Sequence, residues 1–333
     1  MKAFSIKKYD KRGALELTDI PTPILKDNEV LVEIHAAGLN LLDAKIKSGE
    51  FKLILPYKLP IILGHDVAGV ITKVGKNVKR FKLGDEIYAR VSDFHIGTFA
   101  EYIAIGEDDL ALKPKNISME EAASIPLVAL TAWQALVENA KLKKDQKVFI
   151  QAGSGGVGTI AIQLAKHLGA TVATTASEKS FEMLKKLGAD VLIDYKKEDF
   201  ETILKDYDVV LNSQDNKTLE KSLRVIKPGG KAISISGPPT REFAKAIGAN
   251  WLIKTILSLV SFGIVKKARK LNVGYSFLFM RADGAQLKEI TSLTEAGTII
   301  PVVDKVFPFN QTSQALEYVE SGRAKGKVVV KVK

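Results

Sequence analysis

A short apolar strand, a glycine-rich turn and a helix follow one another between residues 147 and 169, and this succession constrains the chain most strongly. The segment Val148–Ile150 consists of β-formers and is typical of a buried parallel strand. The turn Gly153-Ser-Gly-Gly-Val-Gly158 comes next, and an apolar-periodic helix then runs to Gly169, a natural stop. A strand, GxGxxG and a helix in this order predict a turn that binds the phosphates of a dinucleotide.

Each glycine of the turn has a separate task in this interpretation. Gly153 allows the tight turn, Gly155 lets the backbone approach a pyrophosphate, and Gly158 lets the helix pack closely on the strand. The free N–H groups at the start of the helix then face the anion. We therefore expect a Rossmann-type dinucleotide site.

Helices and strands alternate from about residue 121 onwards, which predicts a parallel sheet with right-handed crossovers. Residues 1–120 instead contain short strands punctuated by glycines, the pattern of a compact β-barrel-like domain. The C-terminal residues return to this β-rich pattern. We therefore predict an α/β protein in which a doubly wound unit, residues 122–265, is inserted in a discontinuous β-rich domain formed by residues 1–121 and 266–333.

The composition excludes several classes of protein. The 333 residues include no cysteine, which excludes disulfides, thiolate nucleophiles and thiolate zinc sites. The net charge is +11, but the lysines are dispersed, without the basic runs or aromatic interleaving of nucleic-acid platforms. No apolar run reaches the roughly 18 residues of a spanning helix, and the first residues lack a secretory signal. We expect a cytoplasmic protein with no nucleic-acid partner and no membrane span.

The residues after the second predicted strand favour NADP(H) over NAD(H). A site for NAD usually places an Asp or Glu there, bonded to the ribose 2′-OH. Here Ser177 and Lys179 supply a hydroxyl and an ammonium, which suit a 2′-phosphate. Each also has a plainer interpretation, Ser177 as a helix N-cap and Lys179 as a solvated lysine, and Glu178 is an acid close by. The prediction is NADP(H).

Short motifs are spread over nearly the whole length of the chain. They are Ala36-Ala-Gly-Leu-Asn40-Leu-Leu-Asp43, Leu63-Gly-His-Asp-Val-Ala-Gly69-Val, Val74-Gly75, Gly84-Asp85, Gly97-Thr-Phe-Ala-Glu101-Tyr102, Ala122-Ala-Ser-Ile-Pro126-Leu, Thr131-Ala132, the glycine turn and Gly322-Arg-Ala-Lys-Gly326-Lys327-Val. Together they resemble the medium-chain dehydrogenase/reductase superfamily, in its zinc-free quinone oxidoreductase and enone (2-alkenal) reductase branch. The resemblance implies a GroES-like β-barrel domain around the Rossmann unit.

The resemblance also implies that the catalytic metal of the zinc-dependent relatives is absent. Those relatives place a Cys where this chain has Asn40, and their GHE segment corresponds to Gly64-His65-Asp66 here. One imidazole without a thiolate cannot build that site. His65 is expected to be a packing or pocket-wall residue, and we predict no metal.

Without a metal, hydrogen-bond donors must polarise the substrate carbonyl. The activity implied is hydride transfer from NADPH to a quinone or to the β-carbon of an enone or enal, with negative charge developing on the oxygen. Asn40 and Lys45, on or near one short predicted helix, are the catalytic candidates, and Tyr57 is a further donor. The plainer interpretations are an N-cap for Asn40 and an exposed helix lysine for Lys45.

The positions that the resemblance implies for cofactor contacts lie along the Rossmann unit and in the C-terminal motif. They are Thr131 at the nicotinamide end; Gly153, Gly155, Gly156, Val157 and Gly158 at the pyrophosphate; Ser177, Lys179 and Tyr195 at the 2′-phosphate; Ser236 after the fifth strand; and Phe277, Leu278, Phe279 and Lys327 on the other side.

Two questions stay open at this point. The segment Trp251–Val265 is unusually apolar and fits a packed helix, an oligomer contact or a lid. The resemblance implies that one possible assembly is a homodimer in which Rossmann strands pair edge to edge. The partner expected is a small electrophile, a quinone or an enone, and the alternative function is a catalytically weak NADPH-binding sensor or structural protein.

Overall fold

The computed structural model describes residues 1–52 and 54–333. The elements of the first 130 residues are mostly strands. They are β1 (Lys2–Ile6), β2 (Glu16–Asp19), β3 (Glu29–Leu39), α1 (Leu41–Ser48), β4 (Ile61–Ile62), β5 (Asp66–Val74), β6 (Glu86–Arg90), β7 (Tyr102–Gly106), β8 (Leu110–Leu112), α2 (Met119–Ala123) and α3 (Pro126–Trp133). A π-helical segment, Gln134–Ala140, continues α3.

Strands and helices alternate in the middle of the chain, and two helices and two strands close it. The middle contains β9 (Lys147–Ile150), α4 (Gly156–His167), β10 (Thr171–Ala176), α5 (Phe181–Lys186), β11 (Val191–Asp194), α6 (Phe200–Ile203), β12 (Tyr207–Asn212), α7 (Asn216–Arg224), β13 (Ile226–Ser234), α8 (Arg241–Ala246), α9 (Trp251–Lys270) and β14 (Gly274–Phe277). The last elements are α10 (Gly284–Glu295), β15 (Val303–Pro308), α11 (Thr312–Glu320) and β16 (Lys327–Lys331).

The middle strands form one parallel six-stranded sheet in the order β11-β10-β9-β12-β13-β14. Numbered within the unit, this is the order 3-2-1-4-5-6 of a dinucleotide-binding fold. In such a fold the ligand crevice lies where the strand order reverses, here between β9 and β12. The strands are buried on both faces, as Phe149, Ala173 and Val210 show. Near-continuous apolar runs such as Val148–Ile150 result from this burial.

The remaining strands form a mixed seven-stranded sheet and a smaller three-stranded one. The long strand β3 organises the larger sheet. Its first half pairs with β7 and its second half with β16, while β5 runs along its other edge. Strands from both ends of the sequence therefore share one sheet, which confirms that the Rossmann unit is inserted in a discontinuous β-rich domain.

The boundaries of the two compact units differ from those expected. One unit is Met1–Leu130 with Arg281–Lys333, and the other is Thr131–Met280, whereas the sequence suggested 121/122 and 265/266. The first boundary is later because α2 packs on β3 and β5 of the mixed sheet. The second is later because β14 extends the parallel sheet beside β13. Among the described residues, no helix combines the length and apolar composition that a membrane crossing requires.

Candidate active site

The glycine turn is fastened to the neighbouring strand β10. The Ala152 N–H donates to Thr175 Oγ1 at 3.2 Å, and the Gly153 N–H donates to the Thr175 carbonyl at 3.0 Å. A Cβ at Gly153 would lie 2.2 Å from Thr174 Oγ1, so only glycine fits there. A Cβ at Gly155 would meet only the Ala152 carbonyl oxygen, at 3.3 Å. Gly155 therefore faces open space, where a pyrophosphate would approach.

Helix α4 begins at Gly156 with Gly155 as its N-cap. The N–H groups of Gly156, Val157 and Gly158 belong to the first turn of a helix, where no intrahelical acceptor exists. The positive end of the helix dipole adds to their attraction for an anion. This turn can hold the phosphates of a dinucleotide in the way the sequence predicts.

A buried polar cluster closes the carboxyl ends of β9, β12 and β13. Gln151 accepts from Asn212 Nδ2 at 2.6 Å and donates to Ser222 Oγ at 2.5 Å. Ser234 Oγ donates to Asn212 Oδ1 at 2.5 Å. The amide of Asn212, at the end of β12, is therefore engaged in this internal network.

The residues proposed for the 2′-phosphate follow β10 and β11. These strands pair in register, with Ala176 opposite Asp194, so Ser177 and Tyr195 leave the sheet on adjacent strands. Lys179 is exposed, as is Tyr195. The ammonium of Lys196 lies 6.0 Å from the centre of the Tyr195 ring.

Besides the buried Asp194, which lies 4.0 Å from Lys197 Nζ, this corner contains the exposed acid Glu178. Its carboxylate accepts from Lys197 Nζ at 2.5 Å, and this hydrogen bond raises the pKa of Lys197. The charge of Glu178 is therefore balanced within the chain. The described residues form no ion pair with Lys179 or Lys196, so these two cations of the corner favour an anionic ligand.

The other predicted cofactor residues have varied surroundings. Thr131 is 3% exposed. Ser236 Oγ donates to the Gln214 carbonyl at 2.6 Å. Phe277 packs edge-on against Phe243, with ring centres 5.0 Å apart. Phe279 lies against the same ring, and the Leu278 N–H donates to the Ser234 carbonyl at 2.8 Å. The segment after β14 is thus held beside the carboxyl end of β13.

Asn40 belongs to a buried charged network in the β-rich unit. It stands between β3 and α1, and its backbone N–H donates to Asp43 Oδ2 at 2.8 Å. Its side-chain Nδ2 donates to Asp66 Oδ2 at 2.9 Å, and its Oδ1 accepts from Lys327 Nζ at 2.5 Å. Asn40 is 6% exposed. The orientation of its amide is therefore fixed, because the NH2 group faces an acceptor and the oxygen faces a donor.

Asp66 and Lys327 complete this network. The Lys327 ammonium donates to the Leu39 carbonyl at 2.8 Å and to Asp66 Oδ2 at 3.0 Å, in addition to Asn40. Asp66 Oδ1 accepts from the Leu127 N–H at 2.8 Å, so it also caps the start of α3. All three N–H bonds of Lys327 go to the chain. This favours a structural part for Lys327, and its predicted cofactor contact stays a prediction.

His65 is fully buried beside the same network. Its Nδ1 lies 2.6 Å from Asp43 Oδ1, while Nε2 has no hydrogen-bond partner among residues 1–52 and 54–333. Because Asp43 also accepts from the Asn40 N–H, the carboxylate joins His65 to the start of α1. The structure shows His65 buried, as either alternative of the expectation, a packing or a pocket-wall residue, allows.

Lys45 lies on α1 and is half-buried. The hydrogen bonds and ion pairs of the described residues include none from its ammonium, unlike Lys47, which pairs with Glu320 at 3.2 Å. The end of α1 is closed instead by backbone groups of Lys45, whose carbonyl accepts from Ser48 Oγ. Lys45 is thus a cation held on a short helix and available to a ligand.

Tyr57 is engaged with the segment after β6. Its hydroxyl donates to the Asp93 carbonyl at 2.5 Å. Burial, and next the Asp93 carboxylate, raise the pKa of Tyr57, so it stays a neutral phenol. Arg90, fully buried, donates to the Val91 carbonyl and to the Asp93 carboxylate. The predicted role of Tyr57 as a substrate donor stays a prediction, since its one O–H already has an acceptor.

Sequence reasoning assigned no role to Asp43, Asp66 or Arg90. Asp43 and Asp66 are part of quoted motifs, and a carboxylate in an otherwise apolar, buried stretch such as Asp66-Val-Ala-Gly-Val is the signal that could have revealed a buried pair. The partner Lys327 lies 261 residues away, so no local pattern identifies it.

Two family models match the chain. The model described as "Alcohol dehydrogenase GroES-like domain" matches residues 26–115. The model described as "Zinc-binding dehydrogenase" matches residues 187–330. The first match covers most of the mixed sheet described above, and confirms its predicted GroES-like character.

Whole-length relatives carry the comparison further. The NADPH-dependent alkenal/one oxidoreductase, chloroplastic, of Arabidopsis thaliana is 38% identical over 99% of this chain and 79% of its own length. The mitochondrial NAD(P)H oxidoreductase RTN4IP1 of Danio rerio is 36% identical over 100% of this chain and 91% of its own. The chain belongs to the medium-chain dehydrogenase/reductase superfamily. Its quinone and enone reductase branch is the part that these relatives represent.

A solved member of this superfamily has the same architecture. The Escherichia coli quinone oxidoreductase complexed with NADPH superposes with a TM-score of 0.83, at 28% identity, and the match covers 100% of both chains. The α/β fold with a GroES-like domain and an inserted Rossmann unit is therefore that of the superfamily.

The side chains of the present chain do not fit the catalytic zinc that one of the two family descriptions implies. The position of the expected Cys is Asn40, whose amide is bonded to Asp66 and Lys327. His65 Nδ1 is bonded to Asp43. An ammonium 3.0 Å from Asp66 already neutralises the carboxylate that a cation would need. The described residues contain no group of three or more His, Cys, Asp or Glu side chains arranged to hold a metal.

Proposed function

We propose that this protein is an NADPH-dependent oxidoreductase that reduces quinones or α,β-unsaturated carbonyls by hydride transfer without a metal. The observation that carries the proposal is the glycine turn at the start of α4, followed by a corner with Lys179 and Lys196 in which the exposed acid Glu178 is paired with Lys197. The names of the relatives, which include an alkenal/one oxidoreductase and a quinone oxidoreductase complexed with NADPH, support the same activity.

The cofactor would be held at three places in the Rossmann unit. Gly155, Gly156 and Val157 offer backbone N–H groups to the pyrophosphate. Ser177, Lys179 and Tyr195 surround the 2′-phosphate, which a carboxylate would repel and an ammonium attracts. When bound, NADPH supplies a hydride; the fold supplies its position and the electrostatic surroundings.

The β-rich unit would supply the donors for the substrate oxygen. Lys45 carries a half-buried ammonium with no partner among the described residues, and we propose that it stabilises the negative charge that develops on the substrate oxygen. Asn40 is proposed as a second donor, because its amide is fixed by Asp66 and Lys327 and needs no reorganisation. Zinc-free chemistry is part of the proposal because Asn40 stands where the zinc-dependent relatives place a Cys ligand, and an amide is no thiolate.

A steady-state assay tests the proposal. We expect turnover of 9,10-phenanthrenequinone or a 2-alkenal with NADPH. Lys45→Ala should lower kcat by about 100-fold, the loss typical of removing one donor to a developing oxyanion, with the Kd for NADPH unchanged. Lys52→Ala, an exposed lysine beyond the end of α1, is the matched control and should keep the full rate.

The competing function is a catalytically weak NADPH-binding sensor or structural protein. One observation favours it, namely that the hydrogen-bonding groups of Asn40 and Tyr57 already have partners within the chain. Tight NADPH binding without turnover across a broad panel of quinones and enals would establish that function and refute ours. Full activity of Lys45→Ala would refute only the residue assignment.

The proposed preference for NADPH over NADH is tested by a separate variant. Lys179→Ala should raise the KM for NADPH by about tenfold and leave that for NADH unchanged, because one charge-assisted bond to the 2′-phosphate is lost. Lys205→Ala, another exposed lysine of the same unit, should change neither constant. A KM for NADH equal to or below that for NADPH in the unmodified protein would refute the preference.

Two broader expectations complete the proposal. A homodimer is proposed through the edge strand β14, which has an open side in the parallel sheet. A cytoplasmic location is proposed from the cysteine-free composition, while the relatives above include mitochondrial and chloroplastic proteins. Light scattering in solution and fractionation of cells that produce the protein test the two.

A further inference from the structure

Helix α9 exposes more apolar surface than any other helix of the described chain. Along its outer side lie Trp251, Leu259 and Phe262, with 76%, 72% and 63% of their surfaces exposed. Leu252, Ile256 and Val260 lie between them, also exposed. The inward side, with Ser261, Ile264 and Ala268, packs on the Rossmann unit. The outer apolar residues therefore do not serve the core of this unit.

The outer side changes character along the helix. Its first half is apolar, and its last turns carry Lys266, Lys267, Arg269 and Lys270, all exposed. No acidic residue occurs between Trp251 and Lys270. Lys267 is paired with Glu220 at 2.5 Å, whereas the other three cations form no ion pair with any residue that the structure describes. The helix thus joins an apolar surface end to end with a cationic one.

A recess marks the junction of the two halves. It is lined by Phe262 and Val265 on its apolar side and by Lys266, Arg269 and Lys270 on its charged side. Apolar and cationic groups within one recess match a ligand in which hydrocarbon and anion are adjacent. The head-group boundary of an anionic lipid has this chemistry.

We propose that the outer side of α9, the face formed by residues 251–270, docks on the surface of a bilayer containing anionic lipids. The apolar first half enters the acyl boundary, and the cations of the last turns meet lipid phosphates. The helix would lie on the surface, with its inward side still packed on the Rossmann unit. This inference does not depend on the proposed oxidoreductase activity.

A second copy of the chain fits this face less well. If two α9 helices paired antiparallel, each apolar half would cover the cations of its partner and desolvate them. If they paired parallel, cations would face cations. An anionic bilayer satisfies both halves at once, because it offers hydrocarbon and negative charge in adjacent layers.

Flotation of the full-length protein with vesicles tests the proposal. We expect binding to phosphatidylcholine vesicles containing 30 mol % phosphatidylglycerol at least tenfold stronger than to phosphatidylcholine alone, and weakening in 0.5 M NaCl. Leu259→Asn with Phe262→Asn should lower binding about tenfold, as should Lys266→Gln with Arg269→Gln. The matched controls are Ile24→Asn, which changes an exposed apolar residue elsewhere, and Lys205→Gln.

Tryptophan fluorescence provides a second measurement. Trp251 emission should shift to the blue when anionic vesicles are added, and Trp251→Phe should abolish the shift while binding persists. Equal binding of all variants, or no preference for anionic vesicles, would overturn the proposal. So would a dimer in lipid-free solution that Leu259→Asn converts to a monomer, because a second copy would then occupy the face.

Discussion

Lys327 and Asp66 form an ion pair with 6% and 0% of their side chains exposed. Ions removed from water to this degree are stable only when paired and fully hydrogen-bonded, and removal of one partner of such a pair costs about 3–5 kcal/mol. Both conditions hold here, because Asn40, Leu39 and Leu127 supply the remaining bonds.

We therefore expect Asp66→Asn to lower the free energy of unfolding by about 3–5 kcal/mol, since it leaves the ammonium buried without a counter-charge. Lys327→Met should have a comparable effect, and the double variant should lose at least about 1 kcal/mol less than the sum of the two. Urea denaturation measures all three.

An exposed pair provides the control for this experiment. Glu182 and Lys186 are 2.8 Å apart on α5, with most of both side chains in water. Glu182→Gln should change stability by less than about 0.5 kcal/mol. Strictly additive losses at Asp66 and Lys327 would mean that the two residues do not act as a pair.

Two glycines of the turn before α4 differ in what surrounds them. An alanine Cβ at Gly153 would collide with Thr174 Oγ1, whereas at Gly155 it would meet only the Ala152 carbonyl at a distance that a small shift relieves. Gly155 has φ −82°, which alanine adopts readily.

At the scale of this element we expect Gly155→Ala to fold with a near-normal Tm but to bind NADPH at least about tenfold more weakly, because its methyl group fills the approach of the pyrophosphate. Gly153→Ala should instead lower the Tm. Thermal unfolding and titration of the bound nucleotide separate the two effects. Unchanged NADPH affinity in Gly155→Ala would place the phosphates elsewhere.

Asp208 links three elements at the start of β12. Its carboxylate contacts Lys227 Nζ of β13 at 2.6 Å and accepts a hydrogen bond from the Lys147 N–H of β9 at 2.8 Å. Burial raises its pKa, but the ion pair with Lys227 and the bond from Lys147 outweigh burial and lower the pKa below the ordinary 3.8.

A carboxyl group whose pKa is lower in the folded state stabilises the fold above its unfolded pKa, and this contribution is lost as the pH falls through the folded value. Asp208→Asn should cost about 1–3 kcal/mol at pH 7. The difference from the unmodified protein should shrink below about pH 4. Urea denaturation between pH 7 and pH 3 measures it, with the exposed Asp206→Asn as control; a difference that grows on acidification would contradict the assignment.

The dinucleotide site gives the whole molecule a ligand-dependent stability. A ligand that binds only the folded chain stabilises it by about 2.7 kcal/mol at 100 times its Kd. We expect NADPH at that concentration to raise the Tm by several degrees, and NADH at the same concentration to raise it less. Differential scanning fluorimetry measures both. A larger shift with NADH would show that the corner around Lys179 does not select the 2′-phosphate.

Periodicity predicted the parts of the molecule that local sequence controls. The parallel strands around Val148–Ile150 are buried on both faces, and such strands read as apolar runs. The short helix after Asn40 was predicted with Asn40 as its possible N-cap, and the structure confirms the helix as α1. The glycine turn was predicted from its spacing together with the strand before it and the helix after it.

Features that depend on distant residues escaped prediction. The strands β1 and β2 pair with each other, yet Glu16–Asp19 is largely exposed and has no clear apolar period. Helix α11 lies in a part of the C-terminal region for which no helix or strand was predicted from the sequence. The neutralisation of Glu178 depends on Lys197, 19 residues away, whose direction no pattern reveals. Contacts between residues distant in sequence determine the structure at these positions, and local secondary-structure propensity does not.

The pairing of β16 with β3 also orders the assembly of the molecule in time. Asn40 and Asp66 are made early, whereas the cation that satisfies them lies 287 residues after Asn40 and is made late. Until that strand is added, a nascent chain has a carboxylate and an amide facing an empty position, and the edge of β3 remains open to wrong neighbours. A ribosome that stalls before this strand would release a product that chaperones and proteases can recognise as unfinished.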